Sequence, residues 1–430
     1  MLSGVAIILV FLFMAFLMLT KKLPALLALP IMAVVISFVS GVSMGDILKV
    51  VIADGSVRLS VAMVTVFFGA TLGQFINNTG IAKVMIKKMA ELSGDNPFLV
   101  SLTLTAVVAL LFTVLGGLGA VIMVASIILP IMLSIGIPSV IAGSIFLIGL
   151  SLGGTLNLMN WQLYMSVLYL KQEAVLSFAI PLFVAMAVVS VVFLIVELKR
   201  ERLSNLWAVK LPDDGEAPYL ALLTPFVPLV LILGFSAYNL AAKPAFPFEF
   251  PIIAAMIIGL IWGVATTWKG AEQSVNLLTR SVFEGISSSA PAVALIMGIG
   301  MLLNAVMHPV VSGSIQPIIA ALLPSSRIGY IVFFAILAPL SLYRGPLNVW
   351  GLGSGLVGLM LISGRLPAAA IMAAMLSVGQ IQGVCDPTNT FNVWVANYLG
   401  INVQDILKRT LPYIWALAVI GLIIAGVKYF

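Results

Sequence analysis

Apolar runs of about twenty residues recur along the chain, separated by short polar punctuation, the pattern of helices that each cross a hydrocarbon layer. They predict spans at 3–20, 23–41, 58–78, 138–170 and 178–197, and a second set at 219–237, 251–267, 281–306, 366–396 and 411–428. Between the third and fourth members of each set lies an apolar hairpin, at 97–135 and 327–364, with tips expected near 116–119 and 345–348. The fourth span of each set is interrupted by Gly, Pro, Asn and Thr, near 153–160 (GGTLNLMNW) and near 383–390 (CDPTNT). One shift of 229 positions superposes the two sets: Gly116 on Gly345, Pro138 on Pro367, Gly154 on Gly383, Asn160 on Asn389, Tyr169-Leu170 on Tyr398-Leu399. The expected fold is an all-α polytopic membrane protein of two inverted-topology repeats, 1–197 and 219–430, joined by a polar linker at 198–218. It has about ten transmembrane helices, two helical hairpins (re-entrant or spanning) and two broken helices at the membrane midplane.

Charge assigns the sides. Lys83, Lys87 and Lys88 mark 79–96 as cytoplasmic; Lys199, Arg200, Arg202 and Lys210 do the same for the linker, and Lys408-Arg409 for 397–410. The equivalent of 79–96 in the second set, 307–326, carries no Lys or Arg. One element that is basic in one half and neutral in the other is what inversion predicts. Residues 1–20 have no basic stretch before their apolar core, so they read as a first span with its N-terminus outside rather than a signal peptide. Both termini are then outside. The polar pieces at 43–56 and 268–280 are expected at the membrane surface, with Asp46, Lys49, Lys269 and Glu272 in water.

Composition narrows the function. Of 430 residues, 62% are hydrophobic and 8% charged, far below the quarter or so usual in soluble proteins. One Cys (Cys385) and one His (His308) exclude a disulfide framework and a Cys/His metal site. The +6 net charge sits in short loops and does not suggest nucleic acid. There is no P-loop for ATP, no potassium-type filter and no nucleophile–base pair, so neither a pump, a potassium channel nor an enzyme is indicated.

The breaks concentrate the candidate chemistry. Unwound backbone at membrane depth persists only where protein or a cavity satisfies it. Carbonyls freed there suit Na⁺, and the N-terminus of the next half-helix attracts an anion. The first break brings Gly154, Thr155, Asn157 and Asn160 together; the second brings Gly383, Asp386, Thr388, Asn389 and Thr390. Asp386 is the one acid inside the breaks, with three readings: a Na⁺ ligand, a proton acceptor, or a cap for the half-helix after Pro387. Its mate at the 229 shift is Asn157. Arg344 at the second tip is suited to hold a carboxylate, with Asn348 beside it, or to reach the interface as a surface charge. Glu284 reads as an end-of-span residue, His308 as a loop residue, Gln74, Asn77 and Asn78 as the polar close of a span, Cys385 as apolar filling, and Trp161, Trp350 and Trp394 as packing or ligand-stacking side chains.

This arrangement resembles the ion transporter superfamily of secondary anion carriers, which includes divalent anion/sodium symporters, citrate transporters and gluconate permeases. The resemblance covers nearly the whole chain and is carried by topology and by Gly154-Thr155-Leu156-Asn157 and Asp386-Pro387-Thr388-Asn389-Thr390. Where the sodium-coupled dicarboxylate branch has a Ser-Asn-Thr at each tip, this chain has Gly117-Leu118-Gly119 and Pro346-Leu347-Asn348, of which only Asn348 matches. The apolar first half looks more like the gluconate and citrate branches, where proton symport is common. The resemblance implies an elevator-type motion and a homodimer.

The expected function is H⁺- or Na⁺-coupled symport of a small organic carboxylate in a bacterial-type inner membrane. Arg344, Asn348, Thr388, Asn389, Asn157 and Asn160 would bind the substrate. Asp386, Thr390, Thr155, Gly154 and Gly383 would serve the coupling ion, with Na⁺ at Asp386 as one form of it and no other cofactor. A Na⁺/H⁺ antiporter of related fold is the alternative, and a channel the least favoured reading.

Overall fold

Every regular element is a helix among the residues described by the computed structural model, namely 2–430 apart from 21, 95, 202–216 and 344. Among the described residues, six helices are long and apolar enough to cross a membrane, or up to eight if each of two bent pairs counts as one span. The chain is a multi-pass helical membrane protein. All ten predicted spans fall on helices. Four of those helices are short: Gly4–Met18, Ala25–Val39, Val227–Ala242 and Ile252–Thr266. Proline explains part of this. Pro24 and Pro251 sit extended just before Ala25–Val39 and Ile252–Thr266, so neither helix can begin earlier.

Two predicted boundaries move. The pieces expected at the surface, 43–56 and 268–280, belong instead to long helices: Met44–Asn78 runs for 35 residues and Ala271–Met307 for 37. Neither junction carries a proline, so nothing forces a stop. In these pieces Lys49, Lys269 and Glu272 are exposed and Asp46 is half-buried. Ile47–Asp54 winds as a π-helix, and Asn304 of the other long helix donates its side-chain amide to the Val50 carbonyl there at 2.7 Å. The basic 79–96 segment holds an amphipathic helix, Ile81–Leu92, whose Ile81, Val84, Met85 and Ile86 are buried.

The two long helices pack closely through small residues. A Cβ on Gly285 would come within 2.8 Å of the Thr71 Cα, and one on Gly55 within 2.7 Å of the Met301 Cα. A Cβ on Gly300 would collide with the Gly55 carbonyl oxygen. Helices in lipid lack a hydrophobic drive toward each other, so close contact of this kind carries much of their association. The contacts are related by the 229 shift: Thr71 corresponds to Gly300, and Gly285 to Ser56, next to Gly55.

Each apolar hairpin region divides into two helices around its tip. Pro97–Leu111 and Gly117–Ser134 flank the first, where Gly117 takes φ +83°, a conformation open to glycine. The turn therefore lies at 112–116, just ahead of the expected 116–119. Arg327–Leu337 and Gly353–Ser363 flank the second. The broken helices are Ser139–Thr155 with Leu158–Leu168, bent by 49°, and Ala368–Cys385 with Thr390–Leu399. They touch at Ser151 and Gln380, 229 positions apart, where the Ser151 hydroxyl donates to Gln380 Oε1 at 2.6 Å.

Away from the breaks, Gln172–Arg200 is clamped to Val403–Tyr429. Glu197, fully buried, receives Arg200 at 2.9 Å, Arg409 at 2.6 Å and the Tyr413 hydroxyl at 2.7 Å. Of the linker, 202–216 lies outside the described residues.

Gly300→Val should lower the stability of the purified protein by about 1–3 kcal/mol, as overpacking does elsewhere. Thermal unfolding in detergent measures it, with Gly313→Val, where a Cβ would meet nothing within 4 Å, as the control.

Candidate functional site

The second break follows from Pro387. Proline donates no hydrogen bond and disfavours helix in the residue before it, so Ala368–Cys385 ends at Asp386, whose backbone is extended (φ −68°, ψ 114°). The Asp386 side chain is fully buried. Its Oδ1 accepts from the Thr388 backbone N–H at 2.8 Å and from the Thr388 hydroxyl at 2.7 Å. Asn389 then caps the next half-helix, its Oδ1 accepting from the Phe391 N–H at 3.0 Å.

Two carbonyls at this break accept from side-chain amides. Asn389 Nδ2 donates to the Gln382 carbonyl at 3.3 Å, and Asn392 Nδ2 to the Asp386 carbonyl at 3.0 Å. The first break uses the same device. Asn160 Nδ2 donates to the Gly154 carbonyl at 3.1 Å, and the Trp161 ring N–H to the Thr155 carbonyl at 2.8 Å. The Thr155 hydroxyl turns back onto the Leu152 carbonyl at 2.7 Å. Gly154 has open space where a side chain would be, and a Cβ on Gly383 would meet the Ser151 hydroxyl at 3.0 Å.

Asn157 occupies the position matching Asp386, and its role is visible atom by atom. Its Oδ1 accepts from the Met159 and Asn160 N–H groups at 3.0 and 3.1 Å. Its Nδ2 donates to the Phe112 and Leu115 carbonyls of the first tip at 2.8 and 3.0 Å. The Leu158 N–H adds a bond to the Thr113 carbonyl at 3.1 Å. The two donors of the Asn157 amide and both lone pairs of its oxygen are thus taken. It staples the first tip to the first break and has no capacity left for a ligand.

A cavity of about 450 Å³ opens beside the second break. Thr388, Thr390, Trp394 and Asn397 border it from the broken helix, Leu118 from the first tip and Tyr343 from the second. The fold thus brings one break and both tips to a single space.

The chain shares its fold with known transporters. The Alcanivorax borkumensis YdaH transporter, described as having an unusual topology, superposes with a TM-score of 0.60 at 13% identity, over 89% of this chain and 87% of its own. Neisseria gonorrhoeae MtrF, described within a class of antimetabolite efflux pumps, superposes with a TM-score of 0.51 at 13% identity, over 91% of this chain and 83% of its own. No family model and no curated protein sequence matches the chain.

Of the residues singled out from sequence, Thr388 and Thr390 line the cavity, with Asp386 held directly behind Thr388. Asn389, Asn160, Thr155, Gly154 and Gly383 build the breaks. Asn348 is buried in its own turn, where its Oδ1 accepts from the Trp350 N–H at 3.0 Å. Arg344 lies outside the described residues. Trp161 is fully buried packing, whereas Trp394 reaches the cavity and stacks on Tyr398 with ring centroids 5.0 Å apart. Glu284 pairs with Arg280 at 2.8 Å and receives Asn78 at 2.7 Å, within the helix Ala271–Met307. His308 caps the helix Pro309–Leu322.

Sequence reasoning passed over Leu118, Tyr343, Val393 and Asn397. The available signal was spacing, since Thr390, Val393, Trp394 and Asn397 fall on one helical face. It also passed over Arg58, which donates to Asn304 and to the Tyr169 hydroxyl and so ties both long helices to the half-helix after the first break.

Asn157→Ala should destabilise the protein by about 2 kcal/mol or more, because it leaves the buried carbonyls of the first tip unpaired. Ligand affinity at the second break should be unchanged. Unfolding and ligand titration of one preparation separate the two effects.

Proposed function

We propose that the protein is a secondary active transporter that carries a small organic carboxylate together with H⁺ or Na⁺ by alternating access. The cavity at the second break carries this reading, since it brings polar groups of a broken helix against residues of both hairpin regions. The topology and the two break sequences support placing the chain in the ion transporter superfamily. In this reading 1–197 and 219–430 are inverted repeats, supported by the meeting of shift-related positions at Ser151–Gln380 and along the crossed long helices.

Arg344, next in sequence to the cavity residue Tyr343, takes the substrate carboxylate, and Thr388 and Thr390 complete the polar wall, with Asn389 fixing the break that carries them. Asp386 couples the cation. A cation or proton at Asp386 alters the acceptor that the Thr388 N–H and hydroxyl now share, so ion and substrate sense each other through one residue. Asn348 shapes the second tip, while Asn157 and Asn160 hold the first half rigid. The protein works as a homodimer in a bacterial-type inner membrane, with an elevator-type displacement of tips and broken helices.

A second reading is export, with the cation flowing inward. The likeness to MtrF, one of a class of antimetabolite efflux pumps, favours it. Uptake and efflux in proteoliposomes under imposed Na⁺ and H⁺ gradients decide the direction.

The first test is thermal stabilisation of purified protein by carboxylates, with and without Na⁺ and at two pH values. A ligand that binds only folded protein, at one hundred times its Kd, adds about 2.7 kcal/mol. At least one carboxylate should stabilise the wild type and fail with Arg344→Ala. Asp386→Asn should abolish the Na⁺ or pH dependence of that effect. Stabilisation by Na⁺ alone, lost in Asp386→Asn and indifferent to every acid, would replace the symporter with the Na⁺/H⁺ antiporter.

A further inference from the structure

The half-helices after the two breaks, Leu158–Leu168 and Thr390–Leu399, occupy matching places under the 229 shift but present opposite inner faces. In the second, Thr390, Val393, Trp394 and Asn397 border the cavity. Their counterparts in the first are Trp161, Tyr164, Met165 and Leu168. Trp161 is 0% exposed, Tyr164 7% and Leu168 2%, so this face is filled with its own side chains. At three of the four positions the second half carries the smaller or more polar residue: Thr for Trp, Val for Tyr, Asn for Leu. One helical face, used twice, is packed shut in one half and open in the other, where Thr390 and Asn397 are exposed and Val393 and Trp394 half-buried.

We infer that the Thr390–Val393–Trp394–Asn397 face is the substrate-binding face, and that it selects a monocarboxylate with an apolar body over di- and tricarboxylates and sugar acids. This rests on the carboxylate-transporter reading above and names its substrate class. The described lining contains no Lys, Arg, Asp or Glu. Met18, Leu23, Leu118 and Val393 supply hydrocarbon, and Tyr343 and Trp394 supply rings. The Thr388 hydroxyl already donates to Asp386, so the remaining polar contacts are few: Thr390, Asn397 and the Tyr343 hydroxyl. A second carboxylate, or a row of hydroxyls, would lose its water here without gaining partners. An acyl chain or branched body would be shielded from water by the apolar wall. The site is one-sided, since Asn157 is fully engaged at the first tip and Trp161 seals the first half.

The test uses full-length purified protein and five probes: hexanoate, 4-methylpentanoate, succinate, citrate and gluconate. Wild type is compared with Val393→Phe, which fills the cavity, and Asn397→Leu, which installs the first-half residue. Hexanoate or 4-methylpentanoate should stabilise the wild type at concentrations at least about tenfold below those needed for the other three. Val393→Phe should raise the required concentration at least about tenfold, and Asn397→Leu should raise it by a smaller factor, while both melt like the wild type without ligand. If succinate, citrate or gluconate binds as tightly as hexanoate, or if both variants respond as the wild type does, the face and its selectivity are wrong while the carboxylate reading stands. If none of the five acids stabilises the wild type, the carboxylate reading falls and this inference with it.

Discussion

A helix interrupted inside an apolar bundle exposes carbonyl and N–H groups that hydrocarbon cannot satisfy, and the arrangement around both breaks answers that constraint. Each break is followed by asparagines whose amides turn back onto carbonyls at the break: Asn160 onto Gly154, Asn389 onto Gln382, Asn392 onto Asp386. Asparagine serves well because one side chain carries both an acceptor, to cap the next half-helix, and two donors, to repair the last one. Once those bonds are made, the break is a fixed bend. Side chains on either side of it, Thr388 and Thr390 among them, then keep fixed directions.

The pair Asn157 and Asp386 shows what one substitution does to such a bend. Both oxygens accept from the N–H two residues on, at 3.0 Å for Asn157 and 2.8 Å for Asp386. Asn157 also donates, and its two donors fasten the first tip. An ionised Asp386 has no donor to offer, so the second break cannot be fastened in that way. Replacing amide by carboxylate keeps the turn and introduces a charge that is costly at membrane depth.

Much of this was legible in the chain. The 229 shift located both breaks to within a few residues, and Gly, Pro and Asn marked them because each has a specific backbone consequence. Periodicity found every predicted span as a helix but misjudged where two began. A polar stretch continuous with an apolar helix, as at 271–280, has no local stop signal and simply extends it. The roles within the site were less accessible. Asn157 and Asn389 look alike in sequence, yet only the fold shows that all four bonds of Asn157 go to backbone. Trp161 and Trp394 flank the breaks equally, and only packing decides that one is core and the other borders a cavity. Such distinctions depend on neighbours far apart in sequence, such as Leu118 and Tyr343 beside Thr390, which no local pattern encodes.

The two breaks are thus held in different ways. Coupling requires an element with two arrangements whose balance both ligand and ion can bias. The first half is poorly suited to that: its break is saturated with backbone bonds, its tip is stapled by Asn157, and its inner face is filled by Trp161 and Tyr164. The second half keeps an acid at the break, a cavity along the next half-helix and a tip whose Tyr343 reaches that cavity. Ser151 and Gln380 join the two broken helices directly, so the saturated break and the one that holds the acid are packed against each other rather than set apart.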